Sequence, residues 1–363
     1  MKDNSKNILV TGGAGFIGST LIIKLLELDG YKVFNLDKIS YASDTKAIDI
    51  FLKSNQKKST FYELIKADLC DKPKLKSIIN YVKPNFIFNL AAETHVDRSI
   101  DSPRIFLESN VVGTFNLLEE TYEYWRNLNL QEKLNFKFIH ISTDEVFGAL
   151  GMRGSFNELT RYSPTSPYSA SKASSDHFVN AWHHTYDLPI NIANCSNNFG
   201  PWQYPEKFIP IVINKALSNQ DIPIYGDGSN VRDWLYVEDH ADALILIMEK
   251  GRNGSSYCIG GEEESTNLEL VNKICNILDK LKPNNISYKS LISFVKDRPG
   301  HDFRYSIDSS KIREELGWEP KFNLENALIK TVEWYVNNRN WSQKIITDSG
   351  YDGGRLGLNS VPK

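Results

Sequence analysis

Short apolar segments and longer segments of helical periodicity alternate along much of the chain. The short segments, which are rich in Val, Ile, Leu and Phe, run at residues 8–10, 33–36, 61–65, 86–90, 138–141, 190–194 and 257–261. Apolar residues recur at helical spacing after residue 18 and in the segments 102–127, 167–186, 239–250, 268–281 and 324–335. Strands that alternate with helices predict one parallel sheet covered by helices on both faces, which is a doubly wound α/β fold.

The pattern changes at Pro201, where Pro, Tyr, Trp and Lys mix in a loop-rich stretch. We therefore predict a second, smaller mixed domain. Residues 1–200 and 231–262 are assigned to the first domain, and residues 201–230 and 263–363 to the second. The tail after Trp341 is rich in Ser, Gly and Asp and is expected to be a mobile terminus.

A glycine turn follows the first strand. Gly12, Gly15 and Gly18 are three residues apart and lead into a helical pattern. This spacing permits a tight turn, close approach of backbone N–H groups to a diphosphate, and a helix packed on its strand. A glycine cluster alone is typical of any turn, but here the second strand also ends in Asp37. A carboxylate at that point accepts both ribose hydroxyls and repels a 2′-phosphate, so we predict NAD in a Rossmann-type domain.

Other predicted strands also end in candidate ligand-binding residues. Asp68 follows the third strand, Ala91 and Ala92 follow the fourth, and Asn197 and Asn198 follow the strand at 190–194. Open α/β sheets bind ligands at the carboxyl ends of their strands, so Asp68 is expected near the adenine and the alanines near the diphosphate or ribose. For any one of them alone, a helix cap or a turn is an equally good interpretation.

Tyr168 and Lys172 are the main catalytic candidates. Ser166 and Pro167 are typical of a helix start, and a spacing of four places Tyr168 and Lys172 on one helix face. Together with a Ser or Thr, they form the set that a hydride-transferring dehydrogenase uses, in which a phenolate takes the hydroxyl proton. Free tyrosine titrates at about 10, so a nearby ammonium and a cationic nicotinamide are needed. A surface Tyr and Lys at this spacing are common, but the upstream glycine turn favours the catalytic interpretation.

Thr143, Asp144 and Glu145 follow the strand at 138–141. Two adjacent carboxyls can divide into an acid and a base if their surroundings push their pKa values apart. The simpler alternative is a helix N-terminus, which also favours carboxylates.

Composition excludes several classes of function. The 363-residue chain has a net charge of −3 and no long basic block, so we predict no nucleic-acid partner. No apolar run is long enough for a membrane span or a signal peptide, and the four cysteines are far apart in sequence. We therefore expect a reduced, cytoplasmic protein with no metal site.

Several motifs together resemble the dTDP-glucose 4,6-dehydratase family, a nucleotide-sugar branch of the extended short-chain dehydrogenases/reductases. They are TGGAGFIG at 11–18, LAAETHVDRS at 90–99, STDEVFG at 142–148, PYSASK at 167–172, NCSNN at 194–198, RDWLY at 232–236 and DRPGH at 297–301. The resemblance implies tightly held NAD and a homodimer formed through the helices that begin near Ser102 and Pro167. It also implies conversion of dTDP-glucose to dTDP-4-keto-6-deoxyglucose and water.

The resemblance also implies roles for individual residues. Tyr168 would be the base for the C4 hydroxyl with Lys172 as its partner, Thr143 a sugar contact, Asp144 the acid for the C6 leaving group and Glu145 the base for the C5 proton. NAD would contact Gly12, Gly15, Phe16, Ile17, Gly18, Asp37, Lys38, Ser40, Asp68, Leu69, Leu90, Ala91, Ala92, Ser109, Tyr168, Lys172 and Asn198. The nucleotide sugar would contact Thr94, Thr143, Asn197, Lys207, Phe208, Pro223, Tyr225, Arg232, Asn267, Asp297, Arg298 and His301.

This sequence departs from the family pattern at Phe147 and Phe199, where tyrosine is usual, and its loop between Gly148 and Ser163 is shorter than in many relatives. Three alternatives are a nucleotide-sugar 4-epimerase or decarboxylase, a 4,6-dehydratase that acts on a UDP-hexose, and a dinucleotide-sensing protein without catalysis. The Asp144–Glu145 pair argues against the first, and the intact Tyr168 and Lys172 argue against the last.

Overall fold

The computed structural model describes residues 5–297 and 301–349. Within them the strands are β1 (Lys6–Thr11), β2 (Tyr31–Asp37), β3 (Tyr62–Lys66), β4 (Phe86–Asn89), β5 (Lys137–Thr143), β6 (Ile190–Cys195), β7 (Asn197–Phe199), β8 (Ile222–Tyr225), β9 (Val231–Tyr236), β10 (Ser255–Ile259), β11 (Glu264–Thr266) and β12 (Ile292–Val295). The α-helices are α1 (Phe16–Glu27), α2 (Lys46–Ser54), α3 (Lys72–Val82), α4 (Val96–Asp101), α5 (Pro103–Phe106), α6 (Gly113–Arg126), α7 (Leu130–Leu134), α8 (Pro167–Tyr186), α9 (Phe208–Leu217), α10 (Val237–Lys250), α11 (Asn267–Leu281), α12 (Ser310–Leu316), α13 (Leu324–Asn337) and α14 (Arg339–Ser349). Short 3₁₀ segments lie at Gln56–Phe61, Asp144–Phe147 and Tyr288–Leu291, and a π-helical segment lies at Leu107–Val112.

Seven strands form one parallel sheet in the order β3-β2-β1-β4-β5-β6-β10. The predicted Rossmann-type doubly wound fold is therefore confirmed. The direction of strand succession reverses between β1 and β4, and this reversal opens a crevice at the carboxyl ends of those two strands. The glycine turn leaves β1 at this crevice, and the residues that follow β4 lie beside it.

Apolar side chains cover both faces of the large sheet because successive residues of a strand point to opposite sides. Ile8 and Val10 of β1 belong to the apolar cluster formed with α1 and α10. Leu9, between them, belongs to the cluster formed with α3, α6 and α8. These residues are fully buried, so β1 lies at the centre of the three-layer core.

A further apolar cluster contains residues of β8, α9, α11 and α13. It lies next to two small sheets, one with the strand order β11-β9-β7 and one that pairs β12 with β8. Within the segment 231–262, β10 joins the large sheet, whereas β9 pairs with β7 and β11.

The expectation of a mobile terminus after Trp341 is wrong as far as Ser349, because α14 covers this stretch. Trp341 is buried, and its ring lies 5.2 Å from that of Trp202 and 5.0 Å from that of Trp334. The sequence pattern failed here because the helix is anchored by Trp341 and the buried polar Ser342, with Ile345 packed beside them, and these residues do not form a long apolar stripe.

The helix predicted over 102–127 is present but not uniform, since the π-helical segment separates α5 from α6. Within this segment the Asn110 side chain is buried and forms hydrogen bonds to neighbouring elements. Among the described residues, no helix combines the length and the apolar character that a bilayer crossing requires.

Candidate active site

A cleft of about 310 Å³ lies at the crevice between β1 and β4. Every residue that the sequence predicted to hold NAD lines it, namely Gly12, Gly15, Phe16, Ile17, Gly18, Asp37, Lys38, Ser40, Asp68, Leu69, Leu90, Ala91, Ala92, Ser109, Tyr168, Lys172 and Asn198. Thr143, Asp144 and Glu145 line the same cleft. The structure thus brings the cofactor candidates and the catalytic candidates into a single cavity.

The glycine turn fits a dinucleotide diphosphate. A Cβ on Gly12 would lie 2.6 Å from the backbone N of Ala91, and one on Gly18 would lie 2.3 Å from the carbonyl oxygen of Gly12. Gly15 precedes α1 without a side-chain cap, and the first turn of α1 carries no acidic residue. Its backbone N–H groups are therefore available for an anion, which the positive end of the helix dipole favours.

Asp37 also has a structural role that its position in the sequence does not predict. One carboxylate oxygen accepts from Ala14 N at 3.0 Å, and the other accepts from Ile39 N at 2.8 Å and Ser43 Oγ at 3.0 Å. A carboxylate offers about four acceptor positions, so Oδ2 keeps one for a ribose hydroxyl. The carboxylate thereby ties the glycine turn to the loop after β2.

Tyr168 and Lys172 are both buried on α8, which begins at a cap formed by Ser166. Lys172 Nζ donates to the carbonyl oxygen of Ile141 on β5 at 2.7 Å, which fixes the ammonium at the sheet edge. Burial lowers the pKa of Lys172. Burial, followed by the charge of Glu145, raises the pKa of Tyr168, and a hydrogen bond with Thr143 opposes this rise. A phenolate here therefore depends on nearby positive charge.

Asp144 and Glu145 have different surroundings. Asp144 is 1% exposed and Glu145 is only half-buried. Burial, then the charges of Glu145 and Asp233, raises the pKa of Asp144 well above its ordinary value, which favours the protonated form of this carboxyl. Thr143 Oγ1 donates to Asp144 Oδ1 at 3.2 Å and accepts from Glu145 N at 3.3 Å. Since Thr143 caps the short 3₁₀ segment, the two carboxyls are not needed as caps.

The residues predicted to hold the nucleotide sugar fall into separate groups. Thr94, Thr143, Asn197 and Lys207 line the cleft. Lys207 Nζ donates to the carbonyl oxygen of Thr94 at 2.9 Å, which links the loop before α9 to the loop before α4. Phe208 is the first residue of α9 and stacks on Trp234, with ring centroids 6.4 Å apart.

A second group lies outside the lining of the cleft. Tyr225 donates to Asp97 Oδ2 at 3.3 Å, and its ring lies 6.1 Å from that of His301. His301 Nδ1 lies 2.7 Å from Asp297 Oδ1. Tyr225, His301 and Asp297 thus come together with a residue of α4 that the sequence did not single out.

The remaining candidates are more dispersed. The guanidinium of Arg232 donates to the carbonyl oxygens of Val231 and Asp302, at 2.7 and 3.0 Å, and lies 4.4 Å above the ring of Tyr305. Pro223 lies on β8, Asn267 begins α11, and neither lines the cleft. Arg298 lies outside the described residues.

Sequence reasoning missed Glu206, which lines the cleft and whose side chain is 1% exposed. Tyr41 donates to Glu206 Oε1 at 2.9 Å, and Arg98 Nε donates to Glu206 Oε2 at 3.1 Å. These contacts join the loop after β2 and helix α4 to the loop before α9. No local pattern marks this carboxylate, because its partners lie 165 and 108 residues away.

Asn110 was also missed. Its side chain accepts from Glu93 N at 2.8 Å and donates to Glu93 O at 3.0 Å and to Ser171 Oγ at 2.9 Å. The amide therefore connects the π-helical segment to the loop after β4 and to α8, next to Lys172.

The shortened loop after Gly148 runs along the segment 304–308. Leu150 N donates to Arg304 O at 2.9 Å, and Phe156 N donates to Ser306 O at 2.8 Å. Phe147 stacks on the buried Phe156, with ring centroids 5.2 Å apart. A phenol hydroxyl at position 147 is not required for this packing.

The fold, the glycine turn, the acid at the end of β2 and the buried Tyr168–Lys172 pair define a dinucleotide-dependent enzyme of the extended short-chain dehydrogenase/reductase class. Within that class, a family model described as GDP-mannose 4,6 dehydratase matches residues 9–331, and the chain belongs to this family.

The dTDP-glucose 4,6-dehydratase of Escherichia coli is 48% identical over 97% of this chain and 99% of its own length. The dTDP-glucose 4,6-dehydratase of Bacillus anthracis, solved in complex with NAD, has a TM-score of 0.82 at 40% identity and covers 94% of this chain and 100% of its own. The corresponding Streptomyces venezuelae structure, also with NAD, has a TM-score of 0.83 at 38% identity, covering 93% of this chain and 99% of its own. The resemblance drawn from the motifs is confirmed.

Proposed function

We propose that this chain is a dTDP-glucose 4,6-dehydratase that uses NAD and forms dTDP-4-keto-6-deoxyglucose and water. The observation that carries the proposal is the Asp144–Glu145 pair, one carboxyl fully buried with a raised pKa and the other half-buried, in the same cleft as Tyr168 and Lys172. A simple dehydrogenase needs the tyrosine and the lysine but not the second acid–base pair. The full-length similarity to dehydratases supports the same conclusion.

In the first step, Tyr168 takes the proton of the C4 hydroxyl at its phenolic oxygen. Lys172, held by Ile141 O, supplies the positive charge that favours the phenolate. When the phenolate forms, the Thr143 hydroxyl can turn its one proton from Asp144 Oδ1 to the phenolic oxygen. The residues that line the cleft would hold NAD, which would supply the acceptor for the C4 hydride and the donor for C6.

In the second step, Glu145 removes the C5 proton, which is acidic because C4 has become a ketone. Asp144 donates its proton to the C6 hydroxyl, which leaves as water. The two roles follow from the surroundings, since the buried carboxyl retains a proton and the more exposed carboxyl can accept one.

The predicted NAD and substrate residues keep their roles as part of the proposal. In support of the NAD set, all its members line one cleft, and the buried atoms Asn197 Oδ1, Ser196 Oγ and Gln203 Oε1, on residues lining that cleft, have no hydrogen-bond partner within the described residues. We assign the nucleotide end of the sugar substrate to the group around Tyr225 and His301, beyond Thr94 and Lys207.

We also propose an assembly, a location and a domain division. Ile105, Leu107 and Val112 are 49%, 54% and 42% exposed on the helical stretch 103–126, as expected if a second copy covers this face in a homodimer. The separate apolar clusters of the large sheet and of the α9–α11–α13 region support two domains. The clusters do not follow the predicted bounds, since Ile312 and Trp318 pack with the large sheet and Trp234 packs with the second cluster. We assign the protein to the cytoplasm on the basis of its composition alone.

The test uses dTDP-glucose deuterated at C4, converted to completion in ordinary water. Deuterium is expected at C6 of a product that has lost the C6 hydroxyl. Retention of deuterium at C4 with the C6 hydroxyl in place would support the epimerase instead. Parallel assays with UDP-, CDP- and GDP-hexoses, with products identified by mass, test the choice of base, since one methyl group is worth only about 1–3 kcal/mol of discrimination.

A further inference from the structure

Helix α8, which carries Tyr168 and Lys172, also carries a buried carboxylate, Asp176, that has no role in the proposed mechanism. Asp176 is fully buried and lies four residues after Lys172 on α8. Its Oδ2 accepts from Ser142 Oγ at 2.7 Å, from Tyr162 OH at 2.9 Å and from Asn194 Nδ2 at 3.4 Å. An oxygen that accepts from three donors is what a carboxylate, which only accepts hydrogen bonds, provides.

His140 lies on the other side of this carboxylate, with Nε2 3.2 Å from Asp176 Oδ1. The Nδ1 atom lies 3.0 Å from Asn89 Nδ2, and Asn89 Oδ1 accepts from Thr11 at 2.7 Å. Because the Asn89 amide nitrogen is a donor, His140 Nδ1 accepts, and the ring proton is on Nε2. Burial lowers the pKa of His140 to about 4, so the imidazole is neutral and does not balance the charge of Asp176.

Since His140 is neutral, we next consider Lys172 as the cation that balances the charge of Asp176. Positions four apart lie on one helix face, about 5–6 Å apart at Cβ. Asp176 and Cys195 both act to raise the pKa of Lys172 against the effect of burial. Burial raises the pKa of the Cys195 thiol to about 12, so this thiol is neutral near pH 7 and Asp176 provides the negative charge.

We propose that Asp176 is a positioning residue for the reaction: it is the buried counter-ion that keeps Lys172 as an ammonium next to Tyr168. Tyr162, Ser142 and Asn194 hold the carboxylate in place. The inference rests on the proposed function, because it assigns a role to the lysine of that reaction.

The test is Asp176→Asn in the full chain, with kcat for dTDP-glucose measured across pH and NAD content measured after denaturation. Asn keeps the shape and removes the charge. Lys172 then loses its proton at a lower pH, so the alkaline limb of kcat should move down by about 1–3 pH units while NAD stays bound. Other titratable groups also line the cleft, among them Asp144, Glu145, Tyr168 and Cys195, and the change removes none of them.

Two matched variants separate charge from structure. Tyr162→Phe removes one donor to Asp176 but keeps the ring that lies 5.2 Å from that of Phe147, so the alkaline limb should stay at its wild-type position. Asp176→Glu keeps the charge in a displaced position, so kcat should fall without movement of the limb. This variant also carries the test if Asp176→Asn does not fold.

An alkaline limb that is unchanged in Asp176→Asn, or that moves as far in Asp176→Glu, would overturn the inference. Both results require a wild-type enzyme that converts dTDP-glucose. If the wild type releases no 6-deoxy product, the proposed function itself fails, and that failure is seen before any variant is compared.

Discussion

The protonated state of Asp144 predicts that activity and stability move in opposite directions when this residue is changed to Asn. In the unfolded chain Asp144 is ionised at pH 7, since an ordinary aspartate titrates at about 3.9. Folding buries the group and raises its pKa, so the carboxyl must take up a proton. That uptake costs up to about 4 kcal/mol at pH 7, at about 1.4 kcal/mol for each pH unit above 3.9.

Asp144→Asn removes this cost but introduces a smaller one. The amide oxygen still accepts from Thr143, whereas the amide nitrogen replaces Oδ2, for which the described residues offer no hydrogen-bond partner. An unsatisfied buried donor costs about 1–3 kcal/mol. We therefore expect the variant to be about 1–3 kcal/mol more stable than the wild type at pH 7, and turnover to fall about 10²–10⁴-fold because the acid is lost.

The difference in stability between the wild type and Asp144→Asn should depend on pH. A carboxyl with a raised folded pKa destabilises the fold progressively as pH rises from its unfolded pKa of about 3.9 towards its folded pKa, so the advantage of the variant should grow as pH rises above about 4. Urea unfolding followed by tryptophan fluorescence, in excess NAD, measures the difference. As a control, Asp227→Asn should reduce stability at neutral pH, because hydrogen bonds with Ser229 lower the pKa of Asp227 in the fold. A difference between wild type and Asp144→Asn that does not change with pH would refute the reasoning.

Two further changes test the base and the cofactor cradle. Tyr168→Phe keeps the buried ring and removes the group that takes the C4 proton, so kcat should fall about 10²–10⁴-fold with NAD still bound; near-normal turnover would exclude Tyr168 as the base. Gly18→Ala places a methyl group 2.3 Å from the carbonyl oxygen of Gly12, so the purified variant should lose most of its NAD, as measured by extraction and chromatography. Gly30→Ala is its control, since Gly30 has no neighbouring atom within 4 Å of the added Cβ, although its φ of +87° carries some strain.

The sequence was most informative where parallel strands end. The residues after β1, β2, β3 and β4 could be placed in one cleft because the carboxyl ends of parallel strands meet at the same sheet edge, whatever the connecting helices do. Gly12, Asp37, Asp68 and Ala91 all lie there. A spacing of four on a helix likewise sufficed to place Tyr168 and Lys172 together.

Local sequence patterns did not predict the contacts between segments that are far apart in the sequence. Tyr225 contacts Asp97 across 128 residues, a pairing that depends on how the small sheets lie against α4. Asp176 follows Lys172 on a helix where polar residues are common, and nothing in the spacing shows that it is buried. The second task of Asp37, holding Ala14 and Ser43, likewise needs coordinates, since hydrogen bonds from a loop leave no period in the sequence.

Helix α14 is connected by hydrogen bonds to the glycine turn and therefore helps to hold the predicted NAD site in place. Trp341 Nε1 donates to Asp44 Oδ2 at 2.6 Å, and the backbone N–H of Asp44 donates to the carbonyl oxygen of Ala14 in the glycine turn at 2.8 Å. Trimming the protein before Arg339 would release that turn although the removed segment contains none of the predicted NAD contacts. The protein truncated before Arg339 should therefore lose bound NAD during dialysis. In the full-length protein, bound NAD should slow protease cleavage within α14.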